Sequence, residues 1–227
     1  MASNLKVFSA GAVQLGLSRV AEAFRLDGAG SVEIEFTTAP AIAKRIADGH
    51  SSDVIVAPRE LIETLTNTSP LSNRPVLLGR IGVGVMVRAG APIPGIADIA
   101  EFKQSLQIAE QIVYNQASTG IYLDKLFQRL GVATEMEVKT TRYPDFAAVR
   151  HHVANGRGNE IGFGATTVIA ESAGKGITFA GPLPAEIQNY TSYAAVLTSN
   201  TGDGASAFMD YLATPSAKSI LRSAGIE

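Results

Sequence analysis

Between residues 54 and 57 the chain reads Val-Ile-Val-Ala, a short apolar run with no polar interruption. A strand with one wet face alternates polar and apolar residues. A continuous run must be covered on both faces, and helices packed on either side of a parallel sheet provide that cover. The preceding residues fit this demand. Leu5–Ser9 is a short apolar strand, and Leu17, Val20, Ala21 and Phe24 then fall at i, i+3, i+4 and i+7 of a helix that Asp27-Gly28 ends. Val32–Phe36 alternates as a strand, Pro40 opens a helix holding Ile42 and Ile46, and Gly49 closes it. Strand, helix, strand, helix, strand in that order predicts a doubly wound parallel sheet.

A second set of the same kind follows. Ile81–Val87 is an apolar strand, and Gly90-Ala91-Pro92-Ile93-Pro94-Gly95 reads as a connection. Ile112-Val113-Tyr114 is a strand, and Ser118-Thr119-Gly120 opens a helix with Leu123, Leu126, Phe127 and Leu130 on one face and Gly131 at its end. Asp145 begins a helix carrying Phe146, Val149 and Val153. Ile161–Gly164, Ile177–Ala180 and Tyr193–Thr198 read as strands, with Pro182-Leu183-Pro184 a second connection and Ala205–Leu212 and Ser216–Ala224 closing helices. The expected architecture is α/β, two doubly wound domains joined by two hinge crossings. Residues 1–86 with 190–227 form the first domain, and 87–189 form the second, inserted domain. Domains hinged in this way close around ligands.

Composition narrows the function. Net charge is −2, which argues against a nucleic-acid groove. No cysteine is present, so disulfides, thiolate zinc sites and cysteine nucleophiles are excluded. His151 and His152 are adjacent on a helix and diverge, and no H-E-x-x-H or acidic cluster with ligand spacing occurs, so no metal and no cofactor is expected. Nucleophile-elbow, Walker and complete dinucleotide-binding motifs are also missing. No apolar stretch is long enough for a membrane span. Met1–Phe8 lacks the basic start and apolar stretch of a secretory signal. The expected location is therefore cytoplasmic, or periplasmic if a leader once preceded Met1.

In parallel sheets ligands sit beyond the C-terminal strand ends, at helix N-termini. Three such junctions are small and polar: Ser9-Ala10-Gly11-Ala12-Val13-Gln14, Thr37-Thr38-Ala39-Pro40 and Asn115-Gln116-Ala117-Ser118-Thr119-Gly120. Free backbone N–H groups and positive dipole ends there suit an anion. Ordinary caps and turns have the same composition. Arg142, just before the helix at Asp145, is placed to clamp a carboxylate or to stand solvated on the surface. Tyr190 and Tyr193 flank the second crossing.

Several of these segments resemble a known family. Leu5–Ala12, Ala41–Ile46 followed by Ser52–Ala57, Ser118–Tyr122 and Tyr193–Val196 are similar to the molybdate-binding type of solute-binding protein, a type 2 periplasmic-binding-protein-like family. The resemblance runs in the same order along nearly the whole chain. It implies two α/β domains and an oxyanion held in the interdomain cleft by backbone N–H groups and hydroxyls. Carried over by position, the ligand-facing places are Ala12, Ala39, Thr119, the neighbourhood of Gly164, and Tyr193. Their neighbours Ser9, Gly11, Thr38, Gln116, Ser118 and Arg142 complete the expected set. The family supplies serine hydroxyls from its first two loops, where this chain has Ala12 and Ala39. Aconitate isomerase resembles the same family and is an enzyme. A similar use of the cleft implies a small unsaturated di- or tricarboxylate isomerised by allylic proton transfer, with Tyr122, Tyr143, Tyr193 and His151 as candidate acid–base groups. The alternative is a non-catalytic binding protein that hands molybdate or another anion to a transporter permease.

Overall fold

The computed structural model describes residues 5–68, 71–72, 74–198 and 202–227. The chain divides into two compact units, Met1–Ile81 with Thr191–Glu227, and Gly82–Tyr190. The first unit opens with β1 (Leu5–Ala10), a 3-10 turn at Gly11–Val13 and α1 (Gln14–Leu26). It continues through β2 (Val32–Thr37), α2 (Ala39–Ala47), β3 (Val54–Pro58) and α3 (Arg59–Thr66). β4 (Val76–Arg88) carries the chain into the second unit without a loop, the division falling between Ile81 and Gly82.

In the second unit α4 (Ile99–Ile108), β5 (Gln111–Asn115), α5 (Ser118–Arg129) and α6 (Ala133–Glu137) come first. β6 (Thr140–Tyr143), α7 (Phe146–Asn155), β7 (Glu160–Ala165), α8 (Thr166–Ser172) and β8 (Ile177–Pro182) complete it. β9 (Tyr190–Leu197), α9 (Asp203–Ala213) and α10 (Pro215–Ser223) return to the first unit.

β1 runs parallel to β2 on one side and β3 on the other, with Val7 opposite both Ile34 and Val54. β9 adds antiparallel to β3, Tyr193 facing Pro58. All five residues of β3 are buried, as a continuous apolar run requires. The α1 stripe of Leu17, Val20, Ala21 and Phe24 is buried, with Phe24 edge-on to Phe208 of α9 at 5.2 Å.

In the second unit β5 runs parallel to β6 and β7, and β4 pairs antiparallel with β7 and β8. The pleat sends Ile112 and Tyr114 to one face, with Phe102, Leu123, Leu126 and Phe127. Val113 goes to the other face, with Val149, Val153 and Ile169. This sheet is thus covered by helices on both sides, and the α/β class with its doubly wound sheets holds. Five elements lay outside the sequence reading: α3, α4, α6, α8 and β6. β6, reading Thr-Thr-Arg-Tyr, is a half-polar strand and carries Arg142 and Tyr143, which the sequence placed in a loop.

Candidate functional site

A doubly wound sheet has a switch point where successive connections leave to opposite sides, and ligands gather at the C-terminal ends of the strands beside it. In the first unit this point lies between β1 and β3, because β2 follows β1 on its other side. Ser9, Ala10 and the turn at Gly11 stand there. In the second unit it lies between β5 and β7, where Gln116–Thr119 and Gly164–Thr166 emerge.

The three helix starts singled out in the sequence have no side-chain cap. Ala10 precedes the 3-10 turn, Thr38 precedes α2 and Ala117 precedes α5, and none of the three accepts a first-turn N–H through its side chain. By contrast Asp98, Asp145 and Thr214 each cap their helix by accepting an N–H three residues on. α3, α6, α8 and α9 are also uncapped, so a missing side-chain cap does not by itself mark a candidate. At α5 the first-turn N–H groups of Ser118, Thr119 and Gly120 have no intrahelical acceptor. Asn115 braces this loop by accepting the Ala117 N–H through Oδ1 at 3.1 Å, and the Gln116 N–H donates to the Tyr143 carbonyl at 2.9 Å. A Cβ on Gly120 would lie 1.9 Å from the Asn115 carbonyl oxygen, so only glycine lets α5 start this close to β5.

No lysine, arginine or histidine occurs in segments 9–14, 37–40, 115–120 or 164–167. Each of these segments offers backbone N–H groups and carries no formal positive charge of its own. Ser9 is fully buried and its hydroxyl donates to the Ala10 carbonyl at 3.2 Å. Gly11, Ala12, Thr38, Ala39, Ser118 and Thr119 are half-buried, and Gln116 is exposed. Gly164 is buried with Phe146 where its Cβ would be, so its side of β7 is a packing surface and only its backbone is left for contacts.

Arg142 leans on the α5 face of the second unit. Its Nη2 donates to Asp124 Oδ1 at 2.7 Å, and its guanidinium lies 5.3 Å from the Tyr114 ring centre. The same carboxylate oxygen accepts from Tyr114 Oη at 2.6 Å. Desolvation, then the Asp124 hydrogen bond, push the Tyr114 phenol well above its ordinary range. The Asp124 bond, chiefly, raises the Arg142 guanidinium as well.

The four acid–base candidates lie in different settings. Tyr122 Oη donates to the Ile187 carbonyl at 2.5 Å and accepts from Arg129 Nη2 at 3.2 Å. His151 is exposed on α7 beside Asn155. Tyr143 Oη meets His152 Nδ1 at 2.8 Å, and His152 Nε2 meets Gln111 Oε1 at 2.6 Å. Tyr193 is buried on β9 opposite Pro58, at the C-terminal end of β3. Burial first and the Glu60 carboxylate second raise its phenol. Sequence reasoning passed over His152, Gln111 and Asp124. His152 was legible: it lies three residues after Val149 and next to Val153, on the inward stripe of α7.

A cavity of about 470 Å³ lies elsewhere in the first unit, lined by Lys6, Phe8, Glu33, Glu35, Arg45 and His50. None of the predicted ligand residues lines it. Arg45 pairs with Glu35 and lies over the Phe8 ring at 5.4 Å, and that hydrogen-bonded pairing holds the Glu35 carboxyl below its ordinary range. Among the described residues no group of three or more histidine, aspartate or glutamate side chains is placed to hold a metal. Among them also, no helix is long and apolar enough to cross a membrane.

Two α/β units with uncapped helix ends at their switch points are the build of type 2 periplasmic binding proteins, and the chain belongs to the bacterial extracellular solute-binding protein family, which matches residues 5–227. The resemblance read from the loop residues is thereby borne out. The chain is 27% identical to an aconitate isomerase of Pseudomonas sp. over 236 residues, covering 99% of this chain and 88% of that protein. Its fold is similar to that of the periplasmic molybdate-binding protein of Azotobacter vinelandii, with a TM-score of 0.80, 19% identity and 99% of each chain covered. It is also similar to L-phospholactate-bound PEB3, a Campylobacter jejuni protein, with a TM-score of 0.76, 12% identity and 98% of each chain covered.

Proposed function

We propose that this chain binds one small anion, an unsaturated di- or tricarboxylate, and isomerises it by allylic proton transfer. The observation that carries the binding half is the set of uncapped helix starts at Ala10, Thr38 and Ala117. Backbone N–H groups at a helix start complement a carboxylate without a buried cation. The identity to an aconitate isomerase along 99% of the chain supports both the carboxylate and the isomerisation. Alanine at positions 12 and 39 leaves room and removes hydroxyls, which suits a flat carboxylate better than a compact tetrahedral oxyanion.

In the reaction a base takes the proton from a carbon α to one carboxylate, the C–H electron pair forms a new C=C, and the protonated base or a second acid returns a proton. The old C=C then takes a proton at its far carbon. Charge that builds on the carboxylate between these events falls on the N–H groups of Ser118, Thr119 and Gly120. A second reading, a binding protein serving a transporter permease, is favoured by Tyr122 and Tyr143, whose hydroxyls are engaged by Ile187 and His152.

Proton NMR in D₂O with cis- and trans-aconitate decides between them. Isomer interconversion, or deuterium entering an allylic carbon, is the expected result. Binding with no exchange assigns the non-catalytic role, and no binding of either acid refutes the carboxylate reading. Calorimetry adds a second check: one ligand per chain, weakened by Thr119→Val.

A further inference from the structure

The Tyr143–His152–Gln111 chain runs along the α7 side of the second unit. Gln111 opens β5, Tyr143 closes β6, and His152 on α7 bridges them. Gln111 Oε1 can only accept, so His152 Nε2 carries the proton and Nδ1 is left as an acceptor. The Tyr143 hydroxyl therefore donates to Nδ1. The His152 ring also meets the Tyr143 ring edge-on at 5.6 Å, which fixes the phenol in one orientation. Its hydroxyl is drawn back toward the start of β5, away from the strand ends.

The backbone of the same tyrosine faces the other way. Asn115 pairs with Tyr143 at the end of the β5–β6 ladder, and the Tyr143 carbonyl accepts the Gln116 N–H. β6 is only four residues long and has one strand neighbour, so its last residue has little else to hold it. We propose that His152 and Gln111 are positioning residues for the Asn115–Gly120 loop, acting through Tyr143. They fix the phenol, the phenol fixes the end of β6, and that end fixes the first N–H of the loop. The functional half of this inference rests on the reading of that loop as an anion site; the mechanical half does not.

The test is amide hydrogen exchange on the intact chain, with trans-aconitate titrated by calorimetry in parallel. Tyr143→Phe removes one oxygen and keeps the ring. His152→Phe removes the bridge, and His152→Gln restores an acceptor and a donor. In both phenylalanine variants Gln116 N–H exchange is expected to quicken at least tenfold while Val113, inside β5, keeps its rate. His152→Gln is expected to return Gln116 toward the original rate, and trans-aconitate affinity is expected to follow the same order. An unchanged Gln116 rate overturns the inference. So does an equal change at Val113, which reports general loosening. If His152→Phe fails to fold, Tyr143→Phe carries the decision alone. If trans-aconitate fails to bind the unaltered chain, the anion reading falls while the exchange result still judges the positioning.

Discussion

Replacing Gly120 by alanine sets two opposed effects against each other at one atom. Alanine is the better helix former by about 1 kcal/mol, and an uncrowded helical glycine changed to alanine stabilises a protein. Gly120 is crowded by backbone. The added methyl would sit 1.9 Å from the Asn115 carbonyl oxygen, 3.1 Å from its carbon and 2.9 Å from Tyr114 Cδ2. Ordinary contact begins above 3 Å, so α5 must retreat by more than an ångström at its first turn. The obstacle is the end of β5, and Tyr114 is fully buried and bonded to Asp124, so neither yields cheaply. Overpacking of this kind costs about 1–3 kcal/mol, and the overlap here puts it near the upper end. Subtracting the propensity gain leaves a net loss of about 2 kcal/mol. Equilibrium urea unfolding followed by circular dichroism measures it. The retreat also moves the N–H groups of Ser118 and Thr119, so anion affinity is expected to fall with stability. A variant as stable as the parent, or more stable, would refute the claim that close approach of α5 to β5 dictates the glycine.

Other expectations follow from the same geometry. Asp124→Ala leaves the buried Tyr114 hydroxyl without its acceptor and is expected to cost about 1–3 kcal/mol. Arg142→Ala breaks only a part-exposed pair and is expected to cost under about 1 kcal/mol, with trans-aconitate affinity held within about twofold by calorimetry. Because the candidate loops carry no cation, raising sodium chloride from about 50 to about 300 mM is expected to weaken binding less than about threefold. Tyr114 and Tyr193 are raised in the folded chain, so the native state keeps protons that the unfolded state releases above about pH 10. Stability is therefore flat from neutral pH to about 9 and falls as pH climbs beyond 10, and Tyr193→Phe makes that fall shallower in urea titrations.

How far the sequence could be read depended on burial. β3 announced itself because five consecutive buried positions leave no place for a polar residue, and α5 because Leu123, Leu126 and Phe127 repeat on one face. β6 stayed hidden because a short edge strand needs little apolar pattern, and its Thr and Arg residues look like a loop. α4 shows only Phe102 and Leu106 as buried residues, too few for a clear period. The loops at the switch points were legible from chain order alone. What lay beyond one-dimensional reading was partnership: that Arg142 answers to Asp124, and that the inward histidine of the pair is His152. The glycine- and proline-rich stretch at 90–95, read as a connection, lies within the second unit. The passage itself is made by β4, which holds both the division between Ile81 and Gly82 and the boundary expected between 86 and 87.

The division of the chain also sets an order of birth. Residues 82–190 are contiguous, so the second unit is complete before the ribosome has finished. The first unit is not: β3 pairs with β9, whose residues emerge roughly 140 positions later. Until then the wholly apolar Val54–Pro58 has one bare edge, the state in which nascent chains stick to one another.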